Sequence, residues 1–394
     1  MANPYAEIFR IPGAIAFSAA GFLARFPISM ISLSIITMIS VTRGSGFAGL
    51  VATTYVISSA FLSPQVSRLA DRYGQARIAL PFSLIAIVAI VILIVAFRSH
   101  APDWTLFIAA AFIGCMPSFG AFVRARWVRL CRGTTQLQSA FALESIIDEA
   151  IFMIGPVVVV YVATLLFLEA GLVAVAFLLL VGSITFCLQK RTQPTIIPDQ
   201  GQHGSSVIFI SAVQILVLTL LAIGGIFGTS EVTTLAVARY QGAASSAGYA
   251  LAAYAFGSFL AGIFYGRRTI NMKLSRQFIL AVALAALTTL PLLFVQTIWQ
   301  MTIVLFIAGA ACSPTIIIAM RLVESLAPKE KMTEGITWAT TGLSVGLAIG
   351  LAFAGQLIDR FPQAPQTGFV ISVVAGFLAL LILLLWRKRL DPQD

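Results

Sequence analysis

Apolar residues in this chain run on for about twenty positions at a time, and short polar clusters punctuate the runs. A helix needs roughly 20 apolar residues to cross the hydrocarbon core of a bilayer. The runs predict twelve helical spans, at about 12–40, 46–66, 78–97, 104–124, 137–161, 166–188, 207–236, 244–265, 277–296, 299–320, 335–357 and 367–386. Strand-length segments of alternating polarity are absent from the pattern, which excludes an outer-membrane barrel. The first run is too long for the apolar core of a cleaved signal, and is expected to stay as a span.

Composition agrees: 59% of the 394 residues are hydrophobic and 10% are charged. Soluble domains carry about 25% charged residues, so much of this surface must face lipid. The formal net charge of +10 would suit nucleic acid, but its placement says otherwise. With the amino terminus inside, 20 of the 25 basic residues fall in cytoplasmic segments. That asymmetry is the positive-inside signature. It predicts the cytoplasmic (inner) membrane, both termini in the cytoplasm, membrane lipid as surroundings and no nucleic-acid partner. The four cysteines have neither CxxC nor metal-ligand spacing, and both histidines fall in loops. No metal site or cofactor is expected.

The second half of the chain repeats the first. Ala48-Gly49, Tyr55, Ser59 and Arg68 return as Ala247-Gly248, Tyr254, Ser258 and Arg267, and Cys115-x-Pro117 returns as Cys312-x-Pro314. The matches keep chain order, so the halves are parallel repeats of six spans. The expected organisation is an N-terminal bundle over 1–188, a polar cytoplasmic linker over 189–206 and a C-terminal bundle over 207–394.

Between the second and third spans the sequence reads Ser67-Arg68-Leu69-Ala70-Asp71-Arg72-Tyr73-Gly74-Gln75-Ala76-Arg77. This resembles the signature loop of the Major Facilitator Superfamily, G-x-L-A-D-R-x-G-R-[RK]-[RK]. Leu69, Ala70, Asp71, Arg72 and Gly74 match. Ser67 replaces the leading glycine, and Gln75 replaces the first basic residue after Gly74. The resemblance implies an all-α membrane protein with two six-helix bundles around a central cavity, lined by spans one, four, seven and ten. It also implies alternating access, with Asp71, Arg72, Gly74 and Arg77 as a cytoplasmic gating motif. Of the drug:proton antiporter motifs only Gly155-Pro156 is present, and the span-four arginine motif is missing. The rows Gly342, Gly346, Gly350 and Ser258, Gly262, Gly266 read as helix-packing rows.

A charge at the bilayer centre costs about 2.5–3.5 kcal/mol on the insertion scale, so such residues face protein or water and usually have a partner. Arg25 stands in the first span, on a polar stripe with Ser18, Ser29 and Ser32, just before Pro27. It reads as a cavity cation for an anionic solute group or an internal carboxylate. Glu231 stands in the seventh span among Gly224, Gly225, Gly228, Thr229, Ser230, Thr233 and Thr234. That patch suggests a bent or partly unwound helix lining a cavity. Glu144, Asp148 and Glu149 lie in the inner half of span five, opposite the basic end of span four with Arg124, Arg126, Arg129 and Arg132. They read as an intracellular ion-pair cluster, mirrored in the second half by Arg321 and Glu324.

These features predict a secondary transporter, a functional monomer that moves a small-molecule solute with protons as coupling partner. No G-x-x-x-x-G-K-[ST] loop supplies ATP drive, and no nucleophile triad or metal set supports an enzyme. Export of an organic solute is the first reading and uptake of an organic anion held by Arg25 the second. A lipid flippase and a non-transporting sensor on the same fold are the rivals. No histidine lies in a span, so the proton carrier must be a carboxylate. Glu231 ranks first and Asp148 second, ahead of Glu144 and Glu149.

Overall fold

In the computed structural model the described residues are 8–131, 136–194, 207–267, 272–326 and 332–389, and the rest of the predicted linker, 195–206, lies outside them. The described chain is all helix and loop. We number the helices α1 (Ala14–Arg25), α2 (Pro27–Tyr73), α3 (Gln75–Arg98), α4 (Asp103–Ile113), α5 (Phe119–Cys131), α6 (Gln136–Leu165) and α7 (Ala170–Leu188). They continue as α8 (Ser211–Tyr240), α9 (Ser246–Arg267), α10 (Leu274–Thr289), α11 (Ile298–Leu326), α12 (Met332–Arg360) and α13 (Phe369–Trp386).

Ten helical stretches among the described residues are long and apolar enough to cross a membrane. Two departures from simple spans bring the count to the twelve predicted. First, Ala14–Tyr73 is a single stretch of 60 residues that holds spans one and two. Pro27 has no N–H to give, which interrupts the ladder between α1 and α2. The chain then turns at Gly44, whose φ of 80° and ψ of 164° lie outside the helical region and suit glycine alone. Second, span four is not one continuous helix. It stops at Ile113 and resumes at Phe119, with Gly114-Cys115-Met116-Pro117-Ser118 between. Pro117 cannot donate and disfavours a helical conformation at Met116 before it. The Ser58 hydroxyl donates to the Ala111 carbonyl at 2.6 Å, satisfying one acceptor beside the break. The repeat-related Pro314 lies inside an unbroken α11.

The chain forms two compact units, one of Met1–Ile35 and Ile57–Gly201, the other of Ile36–Val56 and Gln202–Asp394. In the first, α1 packs on α5, α6 and α7, and α3 packs on α4 and α7. In the second, α8 packs on α12 and α13, and α9 packs on α11. The α8–α12 contact is built on glycine. A Cβ on Gly224 or Gly228 would strike the Leu343 or Leu347 carbonyl, and one on Gly346 or Gly350 would strike that of Leu221 or Gly225. Small residues let the two backbones approach and gain close packing, which drives helix association where lipid offers no hydrophobic gain. The glycines of α8 therefore admit a neighbour; they do not unwind the helix, which runs unbroken from Ser211 to Tyr240.

The segment Ile36–Val56 is tied to this second unit by polar contacts. The Asp359 carboxylate accepts from the Ser45 and Gly46 amides, each at 2.7 Å. These amides open the helical segment after the Gly44 turn, so an acid of α12 caps them as an N-cap residue would. Thr53 donates to the Ala348 carbonyl at 2.7 Å, and Arg239 of α8 donates to the Thr37 carbonyl at 2.7 Å and to the Ser40 hydroxyl.

Candidate functional site

Four charged side chains meet inside the first unit. Arg25 closes α1, and its Nε is steadied by the Gly21 carbonyl at 3.1 Å. One guanidinium nitrogen donates to Glu144 and the other to Asp148 at 2.8 Å. Glu144 and Asp148 are one turn apart on α6 and share a face, which lets one planar guanidinium bridge both. Glu144 is fully buried. Its second oxygen accepts from the Trp127 indole at 2.7 Å and the Ser18 hydroxyl at 3.1 Å. Asp148 is 29% exposed, and its second oxygen accepts from Arg124 of α5, itself 41% exposed. Two acids and two arginines thus form a charge-balanced chain, sealed at Glu144 and open at Asp148. Three donors satisfy the buried Glu144 carboxylate, as a buried polar group requires.

The other predicted site residues fall as follows. Ser29 donates to the Phe26 carbonyl at 3.0 Å and packs on Gly155 of α6. Ser32 is buried and its hydroxyl has no hydrogen-bond partner among the described residues. Glu149 sits beside Asp148, half-buried, and forms no hydrogen bond or ion pair among the described residues.

The predicted intracellular cluster needs correction. Among the described arginines of that cluster, only Arg124 reaches the span-five acids. Successive helix residues are rotated by about 100°, so Arg126 points away from α6. It is fully buried, stacked 3.7 Å from the Phe186 ring, and donates to Gln75 Oε1 (3.0 Å), Thr192 Oγ1 (2.9 Å), and the Gln189 (3.1 Å) and Phe186 (3.3 Å) carbonyls. Arg129 is exposed, as is Arg321; the Glu324 side chain, like Arg132, lies outside the described residues. In the gating motif, Gly74 has φ 97°, closed to most L residues. Asp71 and Arg77 are exposed, and Arg72 lies 5.4 Å from the Tyr73 ring. Asp71 has no hydrogen-bond or ion-pair partner among the described residues, neither the backbone amide nor the arginine its motif suggests. Gln75, which replaces the family's basic residue, is buried and joined to Arg126 and the Phe122 carbonyl.

In the second unit, Glu231 is half-buried on α8. Thr229, Thr233 and Thr234 are fully buried, with hydroxyls that have no hydrogen-bond partner among the described residues. Within the first unit the structure brings Arg25, Glu144, Asp148 and Arg124 together; Glu231 belongs to the second unit. Trp127 and Ser18 as ligands of Glu144 escaped the sequence reading, although Ser18 lay on the polar stripe of Arg25.

A helical chain of two sixfold repeats, crossing the bilayer many times and holding ion pairs inside its spans, is a multi-pass membrane transporter by class. The chain belongs to the Major Facilitator Superfamily, whose family model matches residues 17–243 and 215–394. It is a secondary transporter of that family. Among solved structures it is similar to the nucleoside transporter NupG, with a TM-score of 0.70 and 12% identity over 97% of this chain and 100% of that one. A bacterial homologue of the iron transporter ferroportin in an inward-facing state gives 0.72 and 15%, covering 97% and 99%. The POT family transporter PepTSo gives 0.69 and 14%, covering 98% and 99%. At these identities the likeness is one of fold. No curated protein matches the sequence.

Proposed function

We propose that this transporter couples the movement of a small organic solute to protons across the cytoplasmic membrane, by alternating access and as a monomer with both termini inside. The reading rests on one observation: a carboxylate, Asp148, stands partly exposed between two arginines inside a span. A carboxylate in that setting changes its proton affinity when a neighbouring cation or its hydration changes. The basic asymmetry of the loops supports the cytoplasmic membrane and the placement of the termini.

From sequence alone, export comes before uptake of an organic anion. The geometry favours the second reading. Arg25 and Arg124 hold a carboxylate in a form that a solute could supply, so anion and proton would cross together. Antiport export keeps its support from Glu231, a carboxylate within a span of the second unit.

The test is transport in proteoliposomes with and without an imposed pH gradient. Solute accumulation that follows the gradient supports the reading, and exchange indifferent to it would sink proton coupling.

A further inference from the structure

We propose that Asp148 is a built-in stand-in for the solute: a small monocarboxylate displaces it from Arg25 and Arg124 when Asp148 takes up a proton. The proposal rests on the proton-coupled reading above.

The geometry supplies the exchange site. Arg25 donates to one Asp148 oxygen at 2.8 Å and Arg124 to the other. The two guanidiniums thus grip both edges of one carboxylate, the arrangement in which arginine recognises carboxylates best. Asp148 and Arg124 are 29% and 41% exposed, so this half of the cluster is not sealed by protein. Arg25 is not free to follow Asp148 away, because Glu144 and the Gly21 carbonyl hold it. Glu144 in turn is fixed by Trp127 and Ser18. The sealed half of the network is therefore a rigid mount, and the open half is the part that can change partners.

Charge decides the class of solute. Arg25, Arg124, Glu144 and Asp148 sum to zero. Protonating Asp148 alone would leave the cluster with one uncompensated positive charge. A monocarboxylate restores the balance, a dianion overshoots it, and an amine worsens it. Nothing covalent changes: one proton passes from bulk water to an Asp148 oxygen, and one carboxylate replaces another between the same arginines.

The groups around Asp148 are few. α1 brings Arg25, α5 brings Arg124, and α6 itself brings Glu144 and Glu149. From α7 comes no Asp, Glu, Lys, Arg or His, since it has none. Glu149 is the rival proton site on the same helix.

The test uses the purified full-length protein with benzoate as probe and benzylamine as control, by calorimetry between about pH 6 and pH 8, where a carboxylic acid stays ionised. Binding that takes up one proton weakens about tenfold per pH unit. Wild type should show that slope for benzoate and no binding of benzylamine. Asp148→Asn, a mimic of the protonated acid, should bind benzoate with less than about twofold change over the range. Glu149→Gln should keep the wild-type slope. Arg124→Ala should weaken benzoate about tenfold to a hundredfold, the loss of a charge-assisted contact. Thermal unfolding of each variant separates lost binding from lost fold.

The exchange is overturned if the slope survives Asp148→Asn, if Glu149→Gln removes it, or if benzylamine binds and benzoate does not. Gradient-driven uptake of a broad solute panel separates the two readings. Accumulation of some solute without benzoate binding sinks the exchange and leaves proton coupling standing. Benzoate binding with the predicted slope but no accumulation does the reverse.

Discussion

The sequence marks Arg25 because a charge inside an apolar run is costly and must be matched. What it cannot show is that the matching acids lie about 120 residues away on α6. Breaking that match should be expensive. Glu144→Ala leaves the buried Arg25 with only Asp148 for charge, and should cost about 3–5 kcal/mol of stability, as for other broken buried pairs. Trp127→Phe removes one donor from the buried carboxylate and should cost about 1–3 kcal/mol. Chemical unfolding in detergent measures both. Arg25→Lys should restore only part of the function lost in Arg25→Ala, because an ammonium cannot span Glu144 and Asp148 as the guanidinium fork does; proteoliposome uptake reads this out. The pair that joins the end of α3 to the start of α7 offers a pH check. Arg98 donates to Glu169 at 2.8 Å and holds its carboxyl below the usual range, against a smaller opposing effect of burial. A depressed carboxyl contributes stability above its unfolded pKa and loses it as pH falls through the folded value. The deficit of Arg98→Ala in thermal unfolding should therefore shrink as the pH is lowered through the acid range. It should be small throughout, because Arg98 is 62% exposed.

At the scale of elements, hydrophobic runs locate helices well but say little about how each one is interrupted. Span four reads as a single run, yet it breaks at Gly114–Ser118. Pro117 was a visible signal, but the same motif at Pro314 leaves α11 whole, so proline alone does not decide. The glycines of α8 show the same limit. A glycine that bends a helix and one that admits a neighbour look alike in sequence; only α12 at close range distinguishes them. Gly346→Ala should press on the Leu221 carbonyl and destabilise by about 1–3 kcal/mol, as overpacking does. Gly225→Ala, whose Cβ would have Ala375 at 3.3 Å, should cost less. Thermal unfolding of the pair tests the ranking. Asp359 escaped notice because an acid at a helix end usually faces water. Its carboxylate instead caps Ser45 and Gly46, and Asp359→Ala should cost about 0.5–2 kcal/mol, the worth of an N-cap.

For the whole molecule, the twelve-span plan and the family were legible because apolar length, basic asymmetry and the Asp71-Arg72-x-Gly74 motif all operate locally along the chain. The arrangement of charges was less so, because helical rotation sends Arg126 to Gln75 and Thr192 while Arg124 goes to Asp148. Asp71, exposed here, is expected to find a charge-assisted partner in another conformation. Asp71→Asn should then slow transport and raise the inward-open population, measured by cysteine accessibility from each side. Glu231→Gln should keep solute exchange and gradient-driven accumulation if Asp148 carries the proton. Loss of accumulation with exchange intact would return that role to Glu231.

The glycine seam between α8 and α12 has a consequence in time. Backbones that interlock at Gly224, Gly228, Gly346 and Gly350 leave no side-chain layer that could loosen first. Neither helix can expose its amides to exchange with water without the other. In deuterated detergent solution the facing stretches of α8 and α12 should therefore take up label together and late, with one opening rate for both. The ends of α9 and α13 should exchange ahead of them.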